Sequence, residues 1–117
     1  MKRNIAFILV VMVLATVSTA SAQILNTKLQ VTVRNDLGTI VEGATVTLFK
    51  TMDDYESETN PVKSAVTDDK GRVLFYELEP RAYYMLVRKG ELNNIGRGEQ
   101  TSKLVEKKKN MLNVVIE

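Results

Sequence analysis

The chain of 117 residues contains no cysteine, no histidine and no tryptophan. Without cysteine there is no disulfide, no thiolate nucleophile and no lipid anchor on a cysteine after a signal, so the core alone must hold the fold. Without histidine, the Ser–His and Cys–His nucleophile pairs and the usual zinc ligand sets are missing. Beyond residue 22 the only serines are Ser57, Ser64 and Ser102, and none sits in a nucleophile-elbow motif. No glycine-rich phosphate loop is present. Carboxylates alone can hydrolyse glycosides, but that chemistry needs a deep cleft, which a domain this small rarely builds. The chain is therefore expected not to be an enzyme, and to use no cofactor and no metal.

A long apolar run occurs only at the start. Lys2 and Arg3 precede an apolar stretch from Ile5 to Val17, and Ala20-Ser21-Ala22 offers small residues where a signal peptidase reads. This layout is that of a cleaved secretory signal peptide over residues 1–22. The stretch is shorter than the ~20 residues that span a bilayer. Cleavage would make Gln23 the first residue of a single 95-residue domain, 23–117, exported to the periplasm or beyond the cell. A domain near this size buries roughly 60–65% of its unfolded surface. The formal charge of +2 belongs to Lys2 and Arg3; the rest balances at 14 basic and 14 acidic residues. Such a balance gives no footprint for nucleic acid, and Lys107-Lys108-Lys109 is read as a solvated turn.

The remaining chain alternates apolar and polar residues, the pattern of half-buried strands. Leu29, Val31 and Val33 alternate with Lys28, Gln30, Thr32 and Arg34. Ala44, Val46 and Leu48 do the same, as do Val73 with Phe75, Tyr84 with Leu86, and Leu112, Val114 and Ile116. Weaker strands are expected at Lys63–Thr67 and around Glu99–Leu104. Between them lie turn signals: Asn35–Gly38, Glu42-Gly43, Asp68–Gly71, Glu79-Pro80 and Gly96–Gly98. No window of a dozen residues keeps helical spacing. About seven short strands in one domain imply an all-β sandwich. Asp68 and Asp69 are two adjacent carboxylates beside Lys70, too few oxygens for calcium, and are read as turn formers.

Val31-x-Val33, Asp36-x-Gly38 and Val41-Glu42-Gly43-Ala44-x-Val46-x-Leu48 resemble the first half of a prealbumin-like domain. Thr67-Asp68-x-x-Gly71-x-Val73-x-Phe75, Leu78-x-Pro80 and Tyr84-x-Leu86 resemble its second half. Over Leu29–Arg88 the chain thus looks like the carboxypeptidase regulatory-like domains and the B-type repeats of surface adhesins. The resemblance implies a seven-stranded Greek-key sandwich in an exported protein, often a non-catalytic module beside enzymes, adhesins or outer-membrane transporters. Two features of such families are not carried over. Transthyretin-related hydrolases use histidines and a C-terminal Tyr-Arg-Gly-Ser, and this chain has neither. Adhesin repeats often carry a Lys–Asn cross-link promoted by an acid, where this chain has Arg88. Independently of the resemblance, Tyr84 is expected to bury its ring and hydrogen-bond the backbone through its hydroxyl.

Two loops have the composition to bind something. Met52–Pro61 carries Asp53, Asp54 and Tyr55, suited to a cation or a basic partner, though a solvated connection explains it as well. Gly90–Glu99 carries Asn93, Asn94 and Arg97, which can hydrogen-bond sugar hydroxyls but have no aromatic platform beside them. The function expected is interaction with an envelope or surface protein, or a structural role there; the alternative is a carbohydrate-binding domain that takes a polysaccharide. No cross-link is expected between Lys28 and Asn110 or Asn113. Mass spectrometry finding those peptides joined with loss of ammonia would contradict this.

Overall fold

The computed structural model describes residues 26–117; the signal peptide expected over residues 1–22 lies outside them. Seven strands and one short helix follow in order: β1 (Thr27–Asn35), β2 (Thr45–Phe49), α1 (Met52–Ser57), β3 (Lys63–Val66), β4 (Arg72–Leu78), β5 (Tyr84–Lys89), β6 (Leu92–Asn93) and β7 (Lys109–Ile116). They form an all-β sandwich of two sheets, ordered β4-β1-β7 and β3-β2-β5-β6. β1 runs antiparallel to β4 and parallel to β7, so the first and last strands lie side by side.

Alternation builds the core as the sequence implies. Leu29, Val31 and Val33 of β1 meet Val46 and Leu48 of β2, Val73 and Phe75 of β4, and Val114 and Ile116 of β7, all at most 4% exposed. Each such side chain contributes about 1.5–3 kcal/mol on leaving water. One interruption is not visible in the pattern. Thr27 pairs with Leu78 but Leu29 with Phe75, so β4 carries an extra residue, and Glu77 there takes φ 55°. This bulge lets Phe75 and Leu78, three apart, both face inward.

Three expectations are corrected. In Tyr83–Val87 every residue is apolar or aromatic, so alternation does not say which face is inner. Tyr83, Met85 and Val87 face the core and Tyr84 and Leu86 face outward. It is Tyr83, 1% exposed, whose hydroxyl accepts from the Glu79 backbone N–H at 2.9 Å. Second, Glu99–Leu104 forms no strand beyond a bridge of Gln100 to Tyr84, and the two-residue β6 pairs with β5 instead. Third, Met52–Ser57 is helical. Its N-cap Thr51 accepts from the Asp54 N–H at 3.1 Å, and Asp53 and Asp54 lie in the first turn, where carboxylates suit the helix dipole. Six residues are too few for helical periodicity to register, although Thr51-x-x-Asp54 carried the capping signal.

The Asp68–Gly71 loop is a turn built by its own side chain. Asp68 Oδ1 accepts from the Lys70 and Arg72 N–H groups, both at 2.9 Å. These bonds, that from Arg72 foremost, hold the Asp68 carboxyl below its ordinary value of 3.8. A lowered folded value means the stabilisation is present above that pH and fades as acid protonates the carboxylate. Gly71 closes the turn at φ 71°, and a Cβ there would lie 2.5 Å from Ile40 Cγ2 and 2.9 Å from the Val33 carbonyl oxygen. Gly38, at φ 82°, has open space around it. Gly71→Ala is therefore expected to destabilise by about 2 kcal/mol or more and Gly38→Ala by about 1 kcal/mol. Denaturant unfolding of the two variants checks the order.

Candidate functional site

The two loops singled out in the sequence, separated by some thirty residues, meet on the outer face of the four-stranded sheet. Helix α1 lays Tyr55 across that face. The ring packs edge-on to Phe49 with centroids 6.0 Å apart, lies 6.0 Å from Tyr84, and shares a small apolar cluster with Leu86. The outer face of β5 is apolar because the helix covers it. From the second loop Glu99 reaches the same place: its Oε2 accepts from the Tyr55 hydroxyl at 2.5 Å and its Oε1 from the Gly96 N–H at 2.5 Å. Burial first, then the bond to Glu99 and its charge, raises the Tyr55 phenol well above its ordinary value of 10.0. Because the folded value is raised, this contact's contribution holds at neutral pH and is lost as the pH climbs past that value.

Beside this junction lies an open cleft of about 290 Å³ lined by Tyr55, Glu56, Glu58, Leu86, Arg88, Ile95 and Glu99. Arg88 grips Glu58 through two bonds of 2.6 and 3.2 Å. Two of the cleft's three carboxylates are thus already partnered, Glu58 by a guanidinium and Glu99 by a phenol. Among the described residues no group of three or more acids is placed to hold a metal ion. No buried side-chain nitrogen or oxygen among them lacks a partner.

Apart from Asp53, the individual candidates have partners within the protein. Asp54 Oδ1 accepts from Asn60 Nδ2 at 3.3 Å, and Asp53 stands exposed in the helix's first turn. Asn93 Oδ1 accepts from the Ile95 N–H at 3.0 Å, and Arg97 is paired with Glu117. Asn94, chosen as a sugar contact, is fully buried. Where residues 94–98 leave the edge of β5, its side-chain amide replaces the missing backbone: Oδ1 accepts from the Val87 N–H and Nδ2 donates to the Met85 carbonyl, both at 2.9 Å. Backbone pairing resumes beyond the gap, with the Met85 N–H donating to Glu99 O at 2.7 Å. Nothing local marks this role, since Asn94 stands in a polar loop just ahead of the Gly96–Gly98 turn signal. Likewise Lys28 Nζ lies over the Tyr76 ring, 5.4 Å from its centroid, while Asn110 Nδ2 donates to the Lys28 backbone carbonyl at 3.0 Å. Asn94→Ala leaves a buried donor and a buried acceptor unpaired, with an expected cost of about 3 kcal/mol. A ligand contact facing solvent would cost within ~0.5 kcal/mol, and denaturant unfolding separates the two roles.

No protein-family model and no curated protein matches the chain. Among solved structures it is similar to the Bacillus anthracis TIE protein, with a TM-score of 0.54 and 14% identity, over 76% of this chain and 16% of that one. Chlorocatechol 1,2-dioxygenase from Pseudomonas putida matches with a TM-score of 0.44 and 20% identity, over 78% of this chain and 60% of that one. Catechol 1,2-dioxygenase from Acinetobacter radioresistens matches with a TM-score of 0.46 and 12% identity, over 77% and 52%. The chain thus spans a small part of the first and little more than half of the others. What is shared is β-rich architecture; none of these proteins is named as a carboxypeptidase regulatory-like or prealbumin-like domain. The expectation that the chain is not an enzyme is corrected on this point. Enzymes stand among the matching β-rich chains, and missing histidine and cysteine remove particular mechanisms rather than catalysis as such.

Proposed function

We propose that the chain is an exported β-sandwich module of the bacterial cell envelope, of the prealbumin-like, carboxypeptidase regulatory-like kind, that binds an envelope or surface protein. Export is supported by the basic start, apolar stretch and Ala20-Ser21-Ala22 of residues 1–22. The kinship is supported by the paired motifs over Leu29–Arg88 and by two sheets closed by parallel first and last strands.

The observation that carries the interaction is the open edge of β7. This strand of eight residues pairs with β1 on one side and, among the described residues, with no strand on the other; its ends are tied, by Asn110 to the Val105 backbone and by two backbone bonds between Glu117 and Asn93 at 3.1 and 3.3 Å. It contains no proline and only one charged residue, Lys109. Natural sandwiches usually guard such an edge with charge, proline or a covering segment. The edge of β4 is guarded in that way: Lys63 Nζ, from β3, donates to the Tyr76 carbonyl at 2.5 Å. Between the ties of β7, the stretch Met111–Val115 offers backbone donors and acceptors to an extended segment of a partner, which adds to the sheet as a further strand.

A photo-reactive residue at Asn113, in β7, is expected to cross-link one envelope protein in exporting cells. The same residue at Leu37, in the exposed turn after β1, is expected to give none. The reading fails if Asn113 yields no protein adduct, or if the two positions yield the same ones.

A further inference from the structure

The charge balance of the sequence conceals a segregation that the fold creates. On the outer side of the three-stranded sheet, β1 presents Lys28, Gln30, Thr32 and Arg34, β4 presents Arg72, Leu74 and Tyr76, and β7 presents Lys109, Met111, Asn113 and Val115. None of these outward positions is acidic. The carboxylates nearest in sequence stand at the margins: Asp36 in the hairpin tip, Asp68 and Asp69 in the turn before β4, Glu77 in the bulge, Glu106 in the turn before β7 and Glu117 after it. Among the described residues no ion pair involves any of these cations. A cluster of four acids, Asp53, Asp54, Glu56 and Glu58, lies on the other sheet's side, in and after helix α1.

Lys107 and Lys108 extend this face, and the turn that holds them is fixed. The Lys107 N–H donates to Thr27 Oγ1 at 3.1 Å, and the Lys28 N–H donates to the Lys108 carbonyl at 3.0 Å. The lysines border a recess of about 370 Å³ that also takes in Leu74 and Tyr76. Apolar groups are interleaved with the cations rather than set apart: Tyr76 is 52% exposed, Met111 70% and Val115 45%.

We propose that this face is a docking surface for an anionic lipid bilayer, on which the domain lies without crossing it. A sheet face of roughly 25 by 15 Å sets these cations and apolar groups on one side, as contact with a bilayer surface requires. Cations without an acid among the outward strand positions match the phosphates of anionic headgroups, each cation within a Debye length strengthening the partition about fivefold. The exposed Met111, Tyr76 and Val115 match the boundary between headgroup and acyl chain, which accepts apolar side chains as well as charge. An acidic polysaccharide or a nucleic acid would satisfy the lysines but leave the methionine and valine without a partner. The proposal does not depend on strand addition at β7, which concerns backbone groups and a protein.

The test uses the chain from Gln23 onward, because both sheets lie within it and the apolar stretch at residues 5–17 would bind lipid by itself. Co-sedimentation is expected with vesicles of phosphatidylglycerol and phosphatidylethanolamine, to fall with salt, and to be absent with phosphatidylcholine. The triple variant Lys28→Gln, Lys108→Gln, Lys109→Gln should bind about a hundredfold more weakly, at fivefold per cation. Met111→Ser should bind several-fold more weakly with the salt dependence unchanged. Cooperative melting of each variant establishes that it is folded. Failure of the folded parent chain to bind anionic vesicles, equal binding to neutral ones, or indifference to the triple substitution overturns the proposal. So does an unchanged affinity in Met111→Ser together with equal retention on alginate, which makes the face a general polyanion surface.

Discussion

Leu29, Val31 and Val33 lie at the centre of the structure in two senses. They belong to β1, the one strand of its sheet with a partner on each side, and they are at most 1% exposed. Their inward row is what the second sheet closes upon, through Val46 and Leu48 of β2 and Met85 and Val87 of β5. With no disulfide to constrain the unfolded chain, this dry contact between two sheets is the main term opposing its conformational entropy. Every other feature hangs from it. The Asp68 turn delivers β4 to one side of β1, and the parallel pairing with β7 brings the end of the described chain to the other.

The polar devices of the fold repair places where the ladder cannot continue. Asn94 supplies side-chain donor and acceptor where residues 94–98 bulge away from β5. Thr67, 4% exposed, does similar work at the other end of the sheet, accepting from the Ala44 N–H at 2.9 Å and donating to the Val41 carbonyl at 2.7 Å. Tyr55 joins the helix to the second loop through Glu99. A buried backbone group without a partner costs about 1–3 kcal/mol, so these side chains are bound to their positions by the architecture. That is why Asn94 and Tyr55, two of the residues that looked like ligand contacts, serve the structure. What remains available to a partner is backbone at the β7 edge and charge on the outer face of its sheet.

The outward strand positions of the three-stranded sheet carry no acid, which gives the two sides of the sandwich different chemistry. The acidic side is partly neutralised by its own pairs, Glu58 with Arg88 and Glu99 with the Tyr55 hydroxyl. On the basic side, Lys28 rests on an aromatic face rather than on a carboxylate.

Alternating side chains in β1, β2 and β7, the aspartate turn at Asp68 and the absence of thiols were enough to specify an all-β sandwich, because period-two burial and turn chemistry are local properties of the chain. The inner face of Tyr83–Val87 was not specified, since both of its faces are apolar, one for the core and one for a helix from elsewhere in the sequence. The Glu77 bulge, the inward turn of Asn94, the meeting of two distant loops and the gathering of six cations on one face were decided only on folding. Each depends on which distant strands become neighbours, and that pairing is set by the packing of the whole core rather than by any one segment.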